Sequence, residues 1–410
     1  MDSTKYLIIG GGLAAANAAE QLVKSDPRAK GATLIITTEN DPPYHRPALS
    51  KGYLTDKATY DETLVKPREF YASNGIGILY RSKARMIDPA ARICELELNK
   101  SVKFEKCLLA TGASPIRYEG PGRGLEGIHY LRTLGDSDRI KRTTKEMNEI
   151  TIIGGSFIGM ELASCFAQRK IRTTVIHRAS VPWNKLNNPD VSLLFKRYFE
   201  RRGVRFVLED EASGLIGTGR VNTVHTKKGR KISTDGVVVA IGVTPNTQIA
   251  EESRVTTGNG IVVNEFLETN IGGVFAAGDV ANYYDPIQGK RRRVEHWDNA
   301  QNQGKTAGRN LAGAKEKYEG VSMFFSDVFD LSWEVWGDTE GADQVIQRGV
   351  PKEDWICSVY VRDDKISGIF LMGKATDESE AAKKLTQQHA SIEGKYDILR
   401  NPSRELADLL

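Results

Sequence analysis

Two segments of this chain share one pattern, and the repetition limits the fold more than any other feature. Tyr6-Leu-Ile-Ile-Gly-Gly-Gly-Leu-Ala-Ala-Ala16 runs from an apolar, β-branched stretch through a glycine turn into a helix-compatible stretch. Ile150-Thr-Ile-Ile-Gly-Gly-Ser-Phe-Ile-Gly-Met-Glu161 does the same. That order opens a βαβ unit. The copies lie about one domain length apart, so the chain is expected to hold two nucleotide-binding domains. Its 410 residues are enough for about two to four domains.

Each copy continues as a βαβ unit should. Ala32-Thr-Leu-Ile-Ile-Thr-Thr-Glu39 reads as a second buried strand ending in a carboxylate. Arg172-Thr-Thr-Val-Ile-His-Arg178 reads as its counterpart with a basic end. Ala110-Thr-Gly-Ala-Ser-Pro115 and Ala240-Ile-Gly-Val-Thr-Pro-Asn246 follow apolar strands and break regular structure, as domain crossings do. A further strand over Gly273–Asp279 implies that the first domain is split and the second inserted. Beyond Phe324 the texture changes. Alternation over Trp355–Val361 and Ile366–Met372 predicts antiparallel strands joined by a turn at Asp363–Lys365, and Glu378–Gln388 predicts a helix.

Composition excludes several classes. With 40% hydrophobic and 27% charged residues the chain is neither disordered nor fibrous. It has no apolar run of about 18 residues, so no membrane helix is expected. The start lacks a basic segment followed by a long apolar one, so no secretory signal is expected and a cytoplasmic location is. A net charge of +4 does not point to nucleic acid. Cys94, Cys107, Cys165 and Cys357 are far apart, with no metal-ligand or dithiol spacing.

The glycine turns carry the first chemistry. In Gly10-x-Gly12-x-x-Ala15 the first glycine permits a tight turn. Gly12 lets backbone approach a pyrophosphate, and Ala15 lets helix and strand pack closely. The helix N-terminus then faces the phosphates with its partial positive charge. Glu39 lies where a carboxylate accepts ribose hydroxyls. Gly154-x-Ser156-x-x-Gly159 is a second copy whose serine either donates to a phosphate oxygen or marks a merely structural turn. His177 and Arg178 end the second strand with no carboxylate. They read either as a site for the extra phosphate of NADPH, helped by Lys185, or as a solvated basic strand end.

Together these motifs resemble the two-dinucleotide-binding-domain flavoproteins of the pyridine nucleotide–disulfide oxidoreductase superfamily. The carriers are Gly10–Ala15, Ala110-Thr-Gly112, Gly154–Glu161 and Phe275-Ala-Ala-Gly-Asp279. Pro43-Tyr-His-Arg-Pro-Ala-Leu-Ser-Lys51 and Val294-Glu-His-Trp-Asp-Asn-Ala-Gln-Asn-Gln-Gly304 are similar to segments of ferredoxin/rubredoxin reductases and apoptosis-inducing-factor-like proteins. So is Phe324-Phe-Ser-Asp-Val-Phe-Asp330. The resemblance implies an α/β fold: two Rossmann-like domains, the NAD(P) domain inserted in the FAD domain, plus a C-terminal α+β domain. Its expected parts are 1–116 and 246–322 for FAD, 117–245 for NAD(P)H and 323–410 for the last domain.

The resemblance also implies site residues. For FAD they are Gly10, Gly12, Ala15, Glu39, Arg46, Lys51, Ala84, Thr111, Gly112, Asp279, Glu295, His296 and Trp297. For NAD(P)H they are Gly154, Ser156, Phe157, Ile158, Gly159, His177, Arg178 and Gly242. Catalytic roles fall to Lys51, Glu161 and Trp297. Lys51 would stand near flavin N5, where its ammonium stabilises the charge gained on reduction, and Glu161 would orient it. Trp297 reads as a shield beside the flavin or as a core tryptophan. His296 reads as a proton relay or as a structural histidine. No metal site is expected.

Residues 40–54 contain no cysteine, whereas the disulfide reductases of the superfamily carry their redox pair there. The implied activity is transfer of a hydride from NAD(P)H, with a lean to NADPH, to FAD, and of single electrons onward to an acidic ferredoxin- or rubredoxin-like protein. Lys290–Arg293 and a pI near 8.6 suit such a partner, although the run also reads as a solvated loop. A homodimer is compatible with the sequence. Monodehydroascorbate-type and oxygen-reducing members share the scaffold. The alternative is a redox-dependent binding protein of the apoptosis-inducing-factor type.

Overall fold

The computed structural model describes residues 3–410. Its first half contains β1 (Tyr6–Ile9), α1 (Leu13–Ser25), β2 (Thr33–Ile36), β3 (Ile76–Leu79) and β4 (Lys106–Leu109). Next come β5 (Ile128–His129), β6 (Glu149–Ile153), α2 (Phe157–Gln168), β7 (Arg172–His177), α3 (Pro189–Glu200), β8 (Val204–Leu208) and β9 (Val237–Val239). Then come β10 (Val274–Ala276) and α4 (Trp297–Ala312). The chain ends in β11 (Met323–Val328), β12 (Leu331–Gly337), β13 (Gln344–Lys352), β14 (Trp355–Arg362), β15 (Lys365–Gly373) and α5 (Ser379–Gln387).

The chain forms two compact units. The first comprises the residues up to His45, Tyr60–Ser114 and Thr244–Met323. Its main sheet is parallel, in the order β10-β4-β1-β2-β3. Strands of such a sheet are covered on both faces, which is why they read as unbroken apolar runs. Leu7, Ile8, Ile35, Leu108 and Leu109 are fully buried. Small residues set the helix packing. Ala14 and Ala18 of α1 meet Gly304 and Gly308 of α4 so closely that a methyl group on either glycine would overlap an α1 carbonyl. Leu or Val at these sites would push α1 and α4 apart.

The second unit comprises Arg46–Thr59, Pro115–Val243 and Phe324–Leu410. It repeats the plan with a parallel sheet, β8-β7-β6-β9-β5. It also holds a five-stranded sheet in the order β11-β12-β15-β14-β13, in which β12, β15, β14 and β13 pair antiparallel. The mixed α/β class with a sheet-rich C-terminal part is as expected.

The second strand of each repeat stops short of its expected end. The strand expected to reach Glu39 ends at Ile36, and the one expected to reach Arg178 ends at His177. Both stop level with a glycine turn, because Gly10 N–H bonds Ile36 O at 2.8 Å and Gly154 N–H bonds Ile176 O at 2.9 Å. The C-terminal hairpin turns on two residues, Asp363 and Asp364, both at positive φ (50° and 55°), with Arg362 facing Lys365 across the ladder. That conformation matches the right-handed twist of the flanking strands.

Candidate functional site

The first unit presents a phosphate cradle. Gly10 lies at φ +120°, and a methyl group there would overlap the Ala110 carbonyl. One at Gly11 would overlap Thr37. One at Gly12 would meet nothing within 4 Å. Gly12 is also the N-cap of α1, with no side-chain cap and no acidic residue in the first turn. The helix therefore offers N–H groups at an open, uncapped end, which is what a pyrophosphate requires. Ala15, fully buried, closes the packing behind the turn.

The other residues assigned to this unit have definite surroundings. Glu39 accepts a hydrogen bond from the buried Tyr44 hydroxyl, which holds its carboxylate beyond the end of β2. Thr111 Oγ1 donates to Asn246 O at 2.7 Å, and Asn246 Nδ2 donates to Thr111 O at 2.8 Å. Gly112 takes φ +67° at the same joint. Asp279 follows β10, and its carbonyl accepts from Arg293. Ala84 begins the strand Ala84–Asp88 of a small antiparallel sheet. Glu295 is exposed and paired with Arg293. His296 Nδ1 lies 3.4 Å from Ser322 Oγ. Trp297 opens α4, half-buried, and its indole N–H donates to His45 Nδ1 at 3.0 Å.

Sequence reasoning passed over His45 and Gln303. Gln303 is fully buried, and its Oε1 accepts from Gly278 N at 2.9 Å. Its amide nitrogen has no partner, an orphaned donor beside the α1–α4 contact that fits a ligand oxygen. The only hint in the sequence was its place in the Val294–Gly304 segment.

The second unit contains the ion pair. Lys51 Nζ is 3.1 Å from Glu161 Oε1 and 3.6 Å from Asp327 Oδ2, and stands 4.8 Å over the Phe325 ring. Glu161 is buried on α2. It accepts from Ser326 Oγ at 2.6 Å and from Ser50 Oγ as well. Three donors on one carboxylate fix its direction. Ser326 and Asp327 are contributors that sequence reasoning missed. Arg46, in the same unit, donates to the Arg132 carbonyl.

The second glycine turn repeats the first. Gly154 lies at φ +116°, with the Ala240 carbonyl where a methyl would go. Ser156 caps α2 without a side-chain hydrogen bond, leaving that helix end open too. Ser156, Phe157 and Ile158 are half-buried along the turn. A methyl at Gly159 would overlap the Gly154 carbonyl, so the third position must be glycine here. Gly242, at φ +120°, lies in the crossover, and its carbonyl accepts from Ile116 N.

Two expectations need correction. His177 is not a phosphate-binding cation. It is buried, its Nδ1 accepts from Gly155 N at 3.1 Å, and its Nε2 donates to Asn184 Oδ1 at 3.1 Å. That pattern requires the neutral imidazole, and burial lowers its pKa. Only Arg178, exposed, and Lys185, exposed on the following turn, remain as cations there. Nor is Lys290–Arg293 a free basic patch. Lys290–Arg292 form a strand against Ala281–Asp285. Arg291 donates to the Val263 and Asn282 carbonyls, Arg292 pairs with buried Asp285 at 3.3 Å, and Arg293 pairs with Glu295. These arginines hold the fold together.

All four cysteines are free and buried. Burial pushes the thiols of Cys94, Cys165 and Cys357 up to about 12. Thiols held protonated make no dithiol relay. No helix among the described residues is long and apolar enough to cross a membrane, and no cluster among them would hold a metal.

Comparison with known proteins agrees with this geometry. Residues 4–304 match the family model described as pyridine nucleotide-disulphide oxidoreductase. Residues 321–403 match the C-terminal domain of monodehydroascorbate reductase 3-like proteins. Monodehydroascorbate reductase 2 of Arabidopsis thaliana is 31% identical, covering 95% of each chain. The ferredoxin reductase subunit of a 5,5'-dehydrodivanillate O-demethylase from a Sphingobium species is 29% identical over 90% of each. Among solved structures, the covalent putidaredoxin reductase–putidaredoxin complex matches with TM-score 0.94 and 25% identity, over 100% of this chain and 98% of that one. The ferredoxin reductase for the CYP199A2 system of Rhodopseudomonas palustris matches with TM-score 0.93 and 27% identity, over 100% and 99%.

Proposed function

Because the chain belongs to the pyridine nucleotide-disulphide oxidoreductase family, we propose that it is an FAD-dependent reductase that takes electrons from NAD(P)H and delivers them singly to a ferredoxin- or rubredoxin-type protein. A bound flavin supplies the needed chemistry, since it accepts electrons in pairs and releases them one at a time. We assign Gly10, Gly12 and the open end of α1 to the FAD pyrophosphate, Glu39 to its ribose and Asp279 to its ribityl chain. Thr111 and Gly112 would line the flavin. Gly154, Ser156 and the open end of α2 would take the nicotinamide nucleotide.

The observation that carries the reading is the Lys51–Glu161 pair in a chain with no usable dithiol. A cation that a fully hydrogen-bonded carboxylate holds in place can balance negative charge gained at a cofactor. With every thiol buried, electrons have no cysteine relay and must leave the cofactor directly. The reductase relatives support this reading of the acceptor.

A second acceptor class, a small organic radical such as monodehydroascorbate, is favoured by one observation. The C-terminal domain itself matches the monodehydroascorbate reductase type. Both acceptors take one electron, so the chemistry upstream is shared.

The test is anaerobic rapid mixing with NADH or NADPH, then with a ferredoxin or with enzymatically generated monodehydroascorbate. Bleaching of flavin absorbance, followed by recovery on the millisecond-to-second scale with the ferredoxin, is expected. Recovery with the radical alone would transfer the assignment to the second acceptor. A protein that binds no flavin would sink both.

A further inference from the structure

We propose that His45 is the positioning residue for Trp297: its unprotonated Nδ1 accepts the indole N–H and sets the ring's direction at the head of α4, and a proton taken up by His45 releases the ring. The proposal rests on the reading that Trp297 stands beside the flavin.

The geometry is specific. The donor–acceptor distance is 3.0 Å, and the two rings lie 5.7 Å apart at 40°. A tilted pair at that distance is joined edge to lone pair rather than stacked. Trp297 is the first residue of α4, so its backbone is fixed by the helix while the indole still has side-chain torsions to settle. Packing against the core of the first unit limits that freedom, and a directional hydrogen bond to His45 narrows it further.

His45 itself is firmly held. Its backbone N–H donates to Thr63 O at 2.7 Å, Tyr44 forms a bridge with Leu64, and Val65 N–H bonds Pro43 O at 2.9 Å. The anchor is therefore a short backbone ladder on which an imidazole is mounted. The indole nitrogen is a donor only, so it needs an acceptor. Imidazolium carries N–H on both nitrogens, and two donors cannot share one hydrogen bond. Protonation therefore ends the contact.

The surroundings favour the neutral form. Burial is the larger influence and the Lys66 ammonium the smaller, and both lower the pKa of His45 below its ordinary 6.5. The ladder residues Thr63, Leu64 and Val65 carry no ionisable group. The head of α4 brings His296 and Asp298, and the segment of His45 itself brings Tyr44 and Arg46. The Tyr44 hydroxyl is engaged by Glu39 and the Arg46 guanidinium by the Arg132 carbonyl.

The experiment compares the flavin-loaded wild type with His45→Gln, His45→Leu and Trp297→Phe. Gln keeps an acceptor that does not titrate, Leu removes the acceptor, and Phe removes the donor. Two quantities are followed between pH 5 and 8: near-ultraviolet circular dichroism and the rate of flavin bleaching by NAD(P)H.

In the wild type both should change through one ionisation with a midpoint below 6.5, the rate falling at least threefold at the acid end. Both inflections should vanish in His45→Gln and Trp297→Phe. His45→Leu should show the acid-limb rate and dichroism at every pH. An inflection that survives in His45→Gln overturns the proposal, because the titrating group is then another. His45→Leu indistinguishable from wild type at pH 7.5 in both readouts overturns it too. Altered dichroism with unaltered rate would uphold the His45–Trp297 bond and overturn the placement of Trp297 beside the flavin.

Discussion

The two glycine turns are the same device built with different parts. Gly10 and Gly154 share φ near +120° and a carbonyl pressed against the missing side chain. The middle position is Gly12 in one and Ser156 in the other, and both cap a helix with no side-chain hydrogen bond. The third position is Ala15 in the first and Gly159 in the second, where a methyl would strike the Gly154 carbonyl. Behind the turn stands Thr37 in the first and His177 in the second. The shared features are those that backbone geometry imposes. The differing ones are where the two nucleotide sites can diverge, and substitutions at each position separate the two kinds.

The largest effects belong to the shared positions. Gly10→Ala and Gly154→Ala each combine backbone strain with overlap onto a neighbouring carbonyl, and should each cost on the order of 4 kcal/mol of stability. Gly159→Ala should come close behind. Ala15→Gly should cost only about 1 kcal/mol, the usual helix penalty. Urea unfolding checks the series. A mild Gly159→Ala would break the claim that the second turn needs glycine where the first does not.

Gly12→Ala should be a binding lesion alone. The space beyond Gly12 is empty of protein, so urea unfolding without FAD, where no binding energy adds to stability, should match wild type. The FAD retained after gel filtration should fall at least tenfold, because the added methyl occupies the pyrophosphate's approach. Loss of stability with retention unchanged would show that the open end of α1 is not the cofactor's cradle.

A smaller effect is expected where the turns part company in charge. The first strand leads to Glu39 and the second to Arg178. Arg178→Glu should shift the ratio of kcat/KM for NADPH over NADH about tenfold towards NADH, in the range of one charge-assisted hydrogen bond. Steady-state kinetics with both nucleotides measures it. An unchanged ratio would mean that the basic strand end is solvated and selects nothing.

This comparison also shows which features a sequence reveals. Gly10, Gly154 and their strands were legible because the order of apolar strand, glycine turn and helix is written in a few consecutive residues, even though the carbonyls pressed on the glycines come from Ala110 and Ala240. Lys51 and Glu161 were legible only through resemblance, since nothing local links residues so far apart. Ser326 and Asp327, which complete that pair, were invisible, as was the bond from Trp297 to His45. His177 and Lys290–Arg293 were misread for a common reason. A basic residue in a sequence looks available, but its side-chain direction and partners are set by tertiary packing. His177 turns inward to the Gly155 amide, and Arg292 turns to a buried aspartate.

The subtlest test concerns that inward histidine. His177 is neutral in the fold, with its pKa lowered first by burial. In the unfolded chain its pKa returns to about 6.5. The unfolded state therefore binds protons first as pH falls, so stability is fully present above about 6.5 and declines below it. His177→Asn offers an oxygen in the place of Nδ1 and keeps the Gly155 contact without titrating. Above pH 7 the variant should match wild type to within about 1 kcal/mol, one hydrogen bond's worth. Between pH 6.5 and 5 it should lose stability more slowly. His45 and His129 are retained in both proteins, so their protonation cancels in the difference. Parallel stability curves would mean that His177 takes up its proton without cost to the fold. It would then be free to join Arg178 at a phosphate, and the second site would be more basic than its buried geometry implies.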